Sequence, residues 1–201
     1  MKQNFLEDNI FIENEKVKLI PFNSKDALKL NKIIFDDSIW QYMGMYLRNQ
    51  NDFENYILDT LEFQRKNYYA FLIIDKQTNE FAGSTRLGNI NFNSEKLEIG
   101  WTWYGKKYHG TGLNHATKFE LLKFCFEYIG LRRVQFSTDL ENIASQKAIL
   151  KLGAKQEGVF RNNYIDSEGK SKDDVYYSII SDDWKNIKKQ YFAEFIFKND
   201  E

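Results

Sequence analysis

The sequence predicts an α+β fold, with a central mixed sheet that is mostly antiparallel and helices that cover its faces. Three strand-like segments follow one another at about 68–75, 81–90 and 96–103 with no helix between them, which indicates an antiparallel meander. A helical pattern over 111–129 then leads into a strand at 133–138. A strand, a helix and a strand in this order favour a right-handed parallel crossover, which makes the sheet mixed.

The length and hydrophobic content of the chain predict one domain. Its 201 residues, 42% of them hydrophobic, suffice for one sizeable core. We expect the domain to take up 1–201, with its core at about 10–195. The formal net charge of −1 argues against a protein that binds nucleic acid by neutralising phosphates.

The cysteine and histidine content limits the chemistry further. Cys125 is the only cysteine, which excludes an internal disulfide and fits a reducing compartment. The only histidines are His109 and His115, so we expect no metal site of the zinc type. No apolar run approaches the length of a membrane span, and the first residues lack an apolar signal core. We therefore expect a cytoplasmic protein that does not bind membranes.

The elements before the meander are a hairpin and two helices. The hairpin is expected over 10–20, and the first helix opens at Asn23 or Ser24, either of which can cap it. Its apolar stripe consists of Ala27, Leu28, Leu30, Ile33 and Ile34. The second helix is expected over about 51–66. The aromatic segment 35–46 between them is predicted to be a loop or a broken helix, and it is either a lid over the core or a wall of a substrate pocket.

The elements after the crossover are a helix, a pair of strands and a last helix. The first of these helices is expected over 142–152 and closes at a glycine. Its inward positions are Ala144, Ala148, Ile149 and Leu152. The strands are expected at about 154–161 and 173–180, joined by a polar, turn-rich connection. A helix from Ser181 to about Glu194 closes the domain.

The loop before the long helix is the most informative stretch. Gly110 and Gly112 remove two Cβ atoms where the helix begins, and Lys106 and Lys107 precede them. A backbone of this kind approaches a ligand closely, and the helix N-terminus favours an anion. The loop is therefore either a plain turn or a phosphate site.

The strand before this loop alternates in its side chains. Leu97, Ile99, Trp101 and Trp103 are predicted on one face of the sheet, and Glu98, Gly100 and Thr102 on the other.

The chain resembles the GCN5-related N-acetyltransferase (GNAT) superfamily. Lys107-Tyr108-His109-Gly110-Thr111-Gly112 is similar to the acyl-CoA pattern of that family, Arg/Gln-x-x-Gly-x-Gly/Ala, and the order of elements agrees over roughly 10–195. The branch it resembles contains the acetyltransferases of ribosomal-protein N-termini. The matching pieces are Asn142-Ile143-Ala144-Ser145, Lys151-Leu152-Gly153-Ala154, Glu157-Gly158-Val159-Phe160-Arg161, Asp174-Val175-Tyr176-Tyr177-Ser178-Ile179 and Asp183-Trp184.

The resemblance implies a site for acetyl-CoA as co-substrate. The pyrophosphate would lie on the backbone of His109, Gly110, Thr111, Gly112 and Leu113. Lys107 stands where the family more often has Arg or Gln, and its cation still suits phosphate. The pantetheine arm would pair with strand 99–103 where that strand splays from strand 133–138. The N–H of Trp101 would polarise the thioester carbonyl, and Asn142 would hydrogen-bond the arm.

The transfer of an acetyl group to an amine needs a base and an acid. Glu98 is the candidate base, with a pKa raised by nearby aromatics, unless it is an ordinary solvated strand residue. Ile149 occupies the position where much of the superfamily has a tyrosine that acts as the general acid. Ser145 matches the serine of the ribosomal-protein branch and is the candidate acid, although serine also simply suits a first helical turn. Asn142 is alternatively only the N-cap of that helix.

Three functions are consistent with these features. The leading one is an N-acetyltransferase that moves an acetyl group from acetyl-CoA to a primary amine, either a peptide N-terminus or a small molecule. The second is a non-catalytic CoA-binding regulatory module, and the third is an interaction protein without a CoA site. We expect a monomer or a homodimer, without nucleic acid and without metal.

Overall fold

The computed structural model describes residues 5–64 and 66–196, and in this part of the chain eight strands form one sheet. The sheet order is β1-β2-β3-β4-β5-β6-β8-β7. The strands are β1 (Ile12–Glu13), β2 (Val17–Pro21), β3 (Tyr69–Asp75), β4 (Glu80–Asn91), β5 (Lys96–Tyr104), β6 (Arg133–Asp139), β7 (Lys155–Ile165) and β8 (Ser171–Ile180). The β5–β6 pair is parallel and the other neighbours are antiparallel, which confirms the predicted mixed sheet and its crossover.

The helices lie between the strands and after the last one. They are α1 (Ser24–Ala27), α2 (Asp37–Trp40), α3 (Gln50–Gln64), α4 (Leu113–Lys123), α5 (Ile143–Leu150), α6 (Ser181–Tyr191) and α7 (Ala193–Ile196). Short 3-10 turns lie at Phe5–Glu7, Leu28–Lys32 and Lys106–Tyr108, and a π-helical segment, Phe124–Ile129, continues α4. Within the described residues, no helix is both long and apolar enough to cross a membrane.

Two separate hydrophobic cores cover the two faces of the sheet. The larger one packs α4, α5 and α6 against the sheet, and we call that side the α4 face. The smaller one packs α1, α2 and α3 against the strands before the crossover, and we call that side the α3 face. Leu97 and Ile99 of β5 are buried in the first core, whereas Trp103 is buried in the second beside Trp40 and Tyr56.

A β-bulge in β5 overturns the predicted alternation of its side chains. The β4–β5 register pairs Arg86 with Gly100 and Ser84 with Trp103, so β5 carries one extra residue there. Trp101 absorbs that residue in a left-handed conformation, with φ of +50°. The side chains after the bulge therefore change faces. Trp101 and Trp103 lie on the α3 face with Glu98, and Thr102 lies on the α4 face.

The two parallel strands of the sheet part soon after they meet. Their pairing covers Lys96 with Arg133, Leu97 with Val134, and Glu98 with Gln135. Beyond that last pair β5 runs on to Tyr104 beside β4, and β6 runs on to Asp139 beside β8. We call this opening the gap. It is the splay that the resemblance to the GNAT superfamily implied, and it puts the end of β5 at the head of α4.

Helix boundaries differ from the predicted ones at three places. Asn23 caps α1 by accepting the N–H of Asp26 at 2.9 Å, but the α-helix ends at Ala27 and Leu28 is exposed. The predicted single helix is wrong here, because a tighter 3-10 turn follows at once. The long helix begins at Leu113, two residues later than predicted, and ends at Ile129 as predicted, although its last six residues are π-helical. The helix after β6 is shorter than predicted, and Ala144 is exposed instead of inward.

The last two strands are longer than predicted. Most of the connection predicted over 162–172 is strand, and only 166–170 remains as the loop of the hairpin. Polar side chains dominate this stretch because β7 is an edge strand that is mostly exposed. An exposed edge strand shows no buried face in its sequence, so its pattern reads as a loop.

Candidate active site

The glycine loop at the head of α4 has the shape of an anion site. Gly110 and Gly112 adopt left-handed conformations, with φ of +76° and +85°. Thr111 folds the loop on itself by donating its hydroxyl to the carbonyl of Tyr108 at 2.8 Å. The N–H groups of Gly110, Thr111 and Gly112 donate no hydrogen bond within the part of the chain that the structure describes. Free N–H groups at a helix N-terminus attract a phosphate oxygen.

The charges around this loop differ from the ones that the sequence suggested. Lys107 forms an ion pair with Glu80, and the carboxylate of Glu80 raises the pKa of Lys107. Instead, the ammonium of Lys16 is 3.8 Å from the place where a Cβ on Gly112 would lie. Lys16 sits in the turn between β1 and β2, far from the loop in sequence, and also faces Glu194 at 3.4 Å.

His109 is tied to the end of β5. Its Nε2 lies 3.1 Å from the carbonyl oxygen of Tyr104, so this nitrogen is the donor of the pair. The ring is therefore fixed to the strand, and the backbone N–H of His109 donates to the carbonyl of Lys106 at 3.1 Å. Leu113 is buried and begins α4 directly after Gly112.

Glu98 lies buried at the last rung before the gap. Its side chain accepts three hydrogen bonds, from Ser137 Oγ at 2.6 Å, Asn89 Nδ2 at 3.0 Å and Gln135 Nε2 at 3.2 Å. All three donors are neutral, and 5% of Glu98 is exposed. The alternative of an ordinary solvated strand glutamate is wrong, because the carboxylate is held in a fixed orientation by three partners.

Aromatic rings flank Glu98 on the α3 face. Trp101 packs edge-on against Tyr68, with ring centroids 5.2 Å apart. Gly88, which pairs with Glu98, makes room for both rings, since a Cβ there would lie 2.4 Å from Trp101 and 2.5 Å from Tyr68. Burial raises the pKa of Tyr68, and the nearby charge of Glu98 raises it further. Aromatic rings, which the sequence analysis expected near Glu98, are therefore present on its face of the sheet.

Acidic and aromatic side chains of β6, β7 and β8 continue this face. The hydroxyl of Tyr164 donates to Asp139 at 2.5 Å, and Asn163 donates to Asp174 at 2.8 Å. Burial raises the pKa of Asp174, and the charges of Asp139 and Glu98 contribute to the rise. The ring of Tyr164 is also 4.0 Å from the place of a Cβ on Gly44.

The segment 35–46 covers the core of the α3 face, as one of its two predicted roles requires. It forms the short helix α2, as the prediction of a broken helix allowed. Ile39 and Trp40 are buried in the core of the α3 face. The end of the segment, at Gly44, approaches Tyr164 and thereby reaches the acidic side of the site.

Asn142 and Ser145 begin α5 just beyond the end of β6. Asn142 Oδ1 accepts the N–H of Ser145 at 3.0 Å, so Asn142 is the N-cap of this helix. Ile149, one turn after Ser145 on the same side of α5, is buried in the core of the α4 face. Glu98 faces the other side of the sheet, beside Asn89, Gln135 and Ser137.

Lys118 is a buried lysine beside the gap that the sequence reasoning did not single out. It is buried on α4, and its ammonium donates to Thr102 Oγ1 at 2.6 Å. Burial lowers the pKa of Lys118 to about 7. A signal existed in the sequence, because Lys118 lies four residues before Leu122 and thus borders the apolar stripe of the long helix.

Other reactive groups are accounted for by packing. Cys125 is fully buried in the core of the α4 face, and burial raises the pKa of its thiol. Among residues 5–64 and 66–196, no group of three His, Cys, Asp or Glu side chains is placed to hold a metal ion.

The sequence of the chain is similar to a known family and to known sequences. The family described as "Acetyltransferase (GNAT) domain" matches residues 16–155. A Bacillus subtilis (strain 168) protein named "Putative ribosomal N-acetyltransferase YdaF" is 27% identical over 185 residues, which cover 87% of this chain and 97% of that protein.

Solved structures show the same fold. A GCN5-related N-acetyltransferase from Brucella melitensis superposes with a TM-score of 0.85 at 22% identity, covering 92% of this chain and 85% of that one. A crystal structure titled "putative acetyltransferase" from T. thermophilus has a TM-score of 0.83 at 27% identity, covering 92% and 96% of the two chains. The family match covers more than half of the chain, the fold agrees over most of its length, and the protein belongs to the GNAT acetyltransferase family.

Proposed function

We propose that the protein transfers an acetyl group from acetyl-CoA to a primary amine by direct attack. The observation that carries the proposal is the glycine loop, whose unpaired N–H groups lie at the head of α4 beside the gap between β5 and β6. A member of the GNAT family needs this combination of an anion cradle and an opened strand edge to hold an acyl-CoA.

The residues of the loop fit the pyrophosphate of the donor. The free N–H groups of Gly110, Thr111 and Gly112 would receive its oxygens, with His109 and Leu113 on either side of them. The absence of Cβ atoms at both glycines leaves the backbone accessible. The ammonium of Lys16 is the nearest cation to Gly112, so we assign it the charge role that the sequence suggested for Lys107. Lys107 retains a supporting role through its pair with Glu80.

The gap fits the neutral arm of the donor. An arm that enters there would run along β5 past the bulge, where the backbone of Trp101 turns into its left-handed conformation. The N–H of Trp101 would polarise the carbonyl that is attacked. The side-chain oxygen of Asn142 accepts the N–H of Ser145 as the cap of α5, so Asn142 would donate its amide N–H to the arm.

Glu98 and Ser145 would move the protons. Glu98 would take the proton of the acceptor ammonium, directly or through a water, and its three hydrogen bonds hold it ready for this. Ser145 would give a proton to the sulfur as the bond to the acetyl group breaks. Acetyl-CoA supplies the activated acyl group, so the protein needs no covalent intermediate of its own.

The acceptor would be a peptide N-terminus or a small-molecule amine that carries positive charge. The rings of Trp101 and Tyr68 and the carboxylates of Asp139 and Asp174 form a face that suits an ammonium group. The name of the YdaF relative refers to ribosomal acetylation, so ribosomal proteins are the first acceptors to test.

A second candidate, a CoA-binding regulator without turnover, is favoured by one observation. Ile149 is buried in the core and offers no acidic hydroxyl where much of the superfamily has one. The two candidates share the donor site and differ only in the proton chemistry. The regulator would bind acetyl-CoA but release no thiol in the presence of any amine.

Thiol release with a panel of amines decides between them. The protein is incubated with acetyl-CoA and with peptides, ribosomal proteins, polyamines or amino sugars, and free thiol is followed over time. We expect release that depends on one class of amine, and acetylated product by mass spectrometry. Binding of acetyl-CoA without release on the whole panel supports the regulator, and the absence of binding contradicts both candidates.

The cellular setting of the enzyme follows from the same proposal. Acetyl-CoA and a reduced, buried Cys125 are both expected in the cytoplasm, where we place the protein. We expect it to act as a monomer or a homodimer, which light scattering of the purified protein distinguishes.

A further inference from the structure

Lys118 is a buried amine that no acid compensates. Its side chain is almost inaccessible, with 6% of the residue exposed. In the part of the chain that the structure describes, no carboxylate lies within ion-pair distance of it. Its hydrogen-bond partner there is Thr102 Oγ1, at 2.6 Å. A buried ammonium with one partner is costly, so its retention asks for an explanation.

The ammonium of Lys118 lies at the gap between β5 and β6. Thr102 belongs to β5, four residues beyond the last β5–β6 pair. Phe136 belongs to β6, one residue beyond that pair, and its ring centroid is 5.9 Å from the Lys118 ammonium. The ammonium therefore lies between the two strands on the α4 face, where a ligand in the gap would pass.

The hydrogen bonds around Lys118 leave donors unused. An ammonium has three N–H donors and no acceptor, and Thr102 takes one of them. Thr102 in turn shares a hydrogen bond with Thr85 Oγ1 at 2.7 Å and lies 3.3 Å from the carbonyl oxygen of Gly100. The two threonines thus form a short chain that fixes Lys118. The other two donors of the ammonium have no partner in the described part of the chain.

The kind of acceptor follows from the distance to the glycine loop. Lys118 is six residues after Gly112, which is about 9 Å along a helix. The hydrogen bond to Thr102 holds its ammonium at β5, and not at the N–H groups that would bind the phosphates. The part of an acyl-CoA that extends from the loop into the gap is the uncharged arm, whose hydrogen-bond acceptors are amide carbonyl oxygens.

We propose that Lys118 binds acyl-CoA. Its ammonium would donate a hydrogen bond to an amide carbonyl oxygen of the acyl-CoA arm inside the gap. The proposal rests on the proposed function, because it needs acyl-CoA as the ligand. It assigns a task to a residue that neither the loop nor the proton chemistry uses.

The binding of acetyl-CoA is then coupled to the uptake of a proton by Lys118. Burial is the sole cause that lowers the pKa of Lys118 to about 7, so near neutral pH much of the free protein carries the neutral amine. The groups that face it are Thr102 from β5, Thr85 from β4 through Thr102, and Phe136 from β6, none of which is charged. A carbonyl acceptor favours the ammonium, which raises the pKa and draws in a proton.

Calorimetric titration with acetyl-CoA tests the proposal without relying on activity. Titrations at about pH 8, in two buffers with different heats of ionisation, give both the affinity and the number of protons taken up. For Lys118→Met we expect affinity about tenfold or more weaker and a clear loss of proton uptake relative to the wild type. Lys123→Met, from the same helix, is the matched control and is expected to behave like the wild type.

A second variant keeps the proposal testable where Lys118→Met does not fold. Lys118→Gln keeps a hydrogen-bond donor at this place but cannot take up a proton, so we expect it to bind acetyl-CoA without the proton uptake of the wild type. Proton uptake that persists in Lys118→Gln, or a Lys118→Met protein that binds acetyl-CoA and takes up protons like the wild type, overturns the proposal. A wild type that does not bind acetyl-CoA overturns the proposed function as well.

Discussion

Ser137 donates its hydroxyl to the carboxylate of Glu98 at 2.6 Å, joining β6 to β5 where the two strands part. With Asn89 and Gln135 as further donors, the carboxylate on β5 is held from both β4 and β6. As the proposed base, a carboxylate fixed in this way would need no rearrangement before it accepts a proton. Substitutions at Glu98, in the glycine loop, in the Arg133–Glu157 pair and at Cys125 each have an expected outcome that can be measured.

Replacement of the buried carboxylate is expected to remove most of the turnover. Glu98→Gln keeps the shape of the side chain but cannot take up a proton, so we expect thiol release about 10²-fold slower with nearly unchanged acetyl-CoA affinity. Glu95→Gln, just before the same strand, is the control, since Glu95 pairs with Arg132 at the surface. Steady-state kinetics with full activity in Glu98→Gln would show that another group is the base.

The loop glycines are expected to affect both stability and donor binding. Gly112→Ala forces a Cβ into a conformation with φ of +85°, which should lower the free energy of unfolding by about 1–2 kcal/mol. The altered backbone should also weaken acetyl-CoA binding about tenfold. Gly130→Ala, with φ of +79° after the π-helical segment, imposes similar strain far from the loop. Equal acetyl-CoA affinity in the two variants, measured by calorimetry, would argue against the loop as the phosphate site.

The pair of Arg133 and Glu157 is expected to stabilise the protein only above acidic pH. Hydrogen bonds from Arg133 and Ser178 lower the pKa of Glu157 to about 2, from an ordinary value of 4.5. The stabilisation is therefore present above about pH 4.5 and is lost as the pH falls towards 2. Because Glu157 is 41% exposed, we expect Glu157→Gln to cost only about 1 kcal/mol at neutral pH. Denaturant unfolding at several pH values checks this, and a cost that grows on acidification would contradict it.

The thiol of Cys125 is expected to be unreactive in the folded protein. Burial raises its pKa, so thiolate is scarce and reagents have no access. Alkylation followed by mass spectrometry should show modification only after unfolding. Cys125→Ala should retain thiol release with acetyl-CoA while losing some stability. Fast alkylation of the native protein would mean that the thiol is accessible and that its assignment to the core is wrong.

Local patterns in the sequence were sufficient for the meander, the crossover and the glycine loop. Each of these depends on neighbouring residues, such as the β-forming side chains in Tyr69–Asp75 or the two glycines before α4. The caps at Asn23 and Asn142 were also predictable, because a capping side chain bonds to residues a few positions ahead.

The features that the sequence did not reveal depend on contacts between distant residues. The left-handed Trp101 arises from a mismatch in pairing with β4, which no periodicity in β5 shows. Lys16 reaches Gly112 only after the β1–β2 turn is folded onto the head of α4. The partners of Glu98 likewise come from two other strands, so its burial could not be inferred from its own strand.

Hydrogen exchange with and without acetyl-CoA tests the central claim that the donor occupies the loop and the gap. Amide exchange is followed by mass spectrometry on the full chain at saturating acetyl-CoA. We predict slower exchange at the amides of 109–113 and 100–103, with little change at the exposed strand β7. Saturable acetyl-CoA binding that protects other segments and leaves both of these stretches unchanged would contradict the claim.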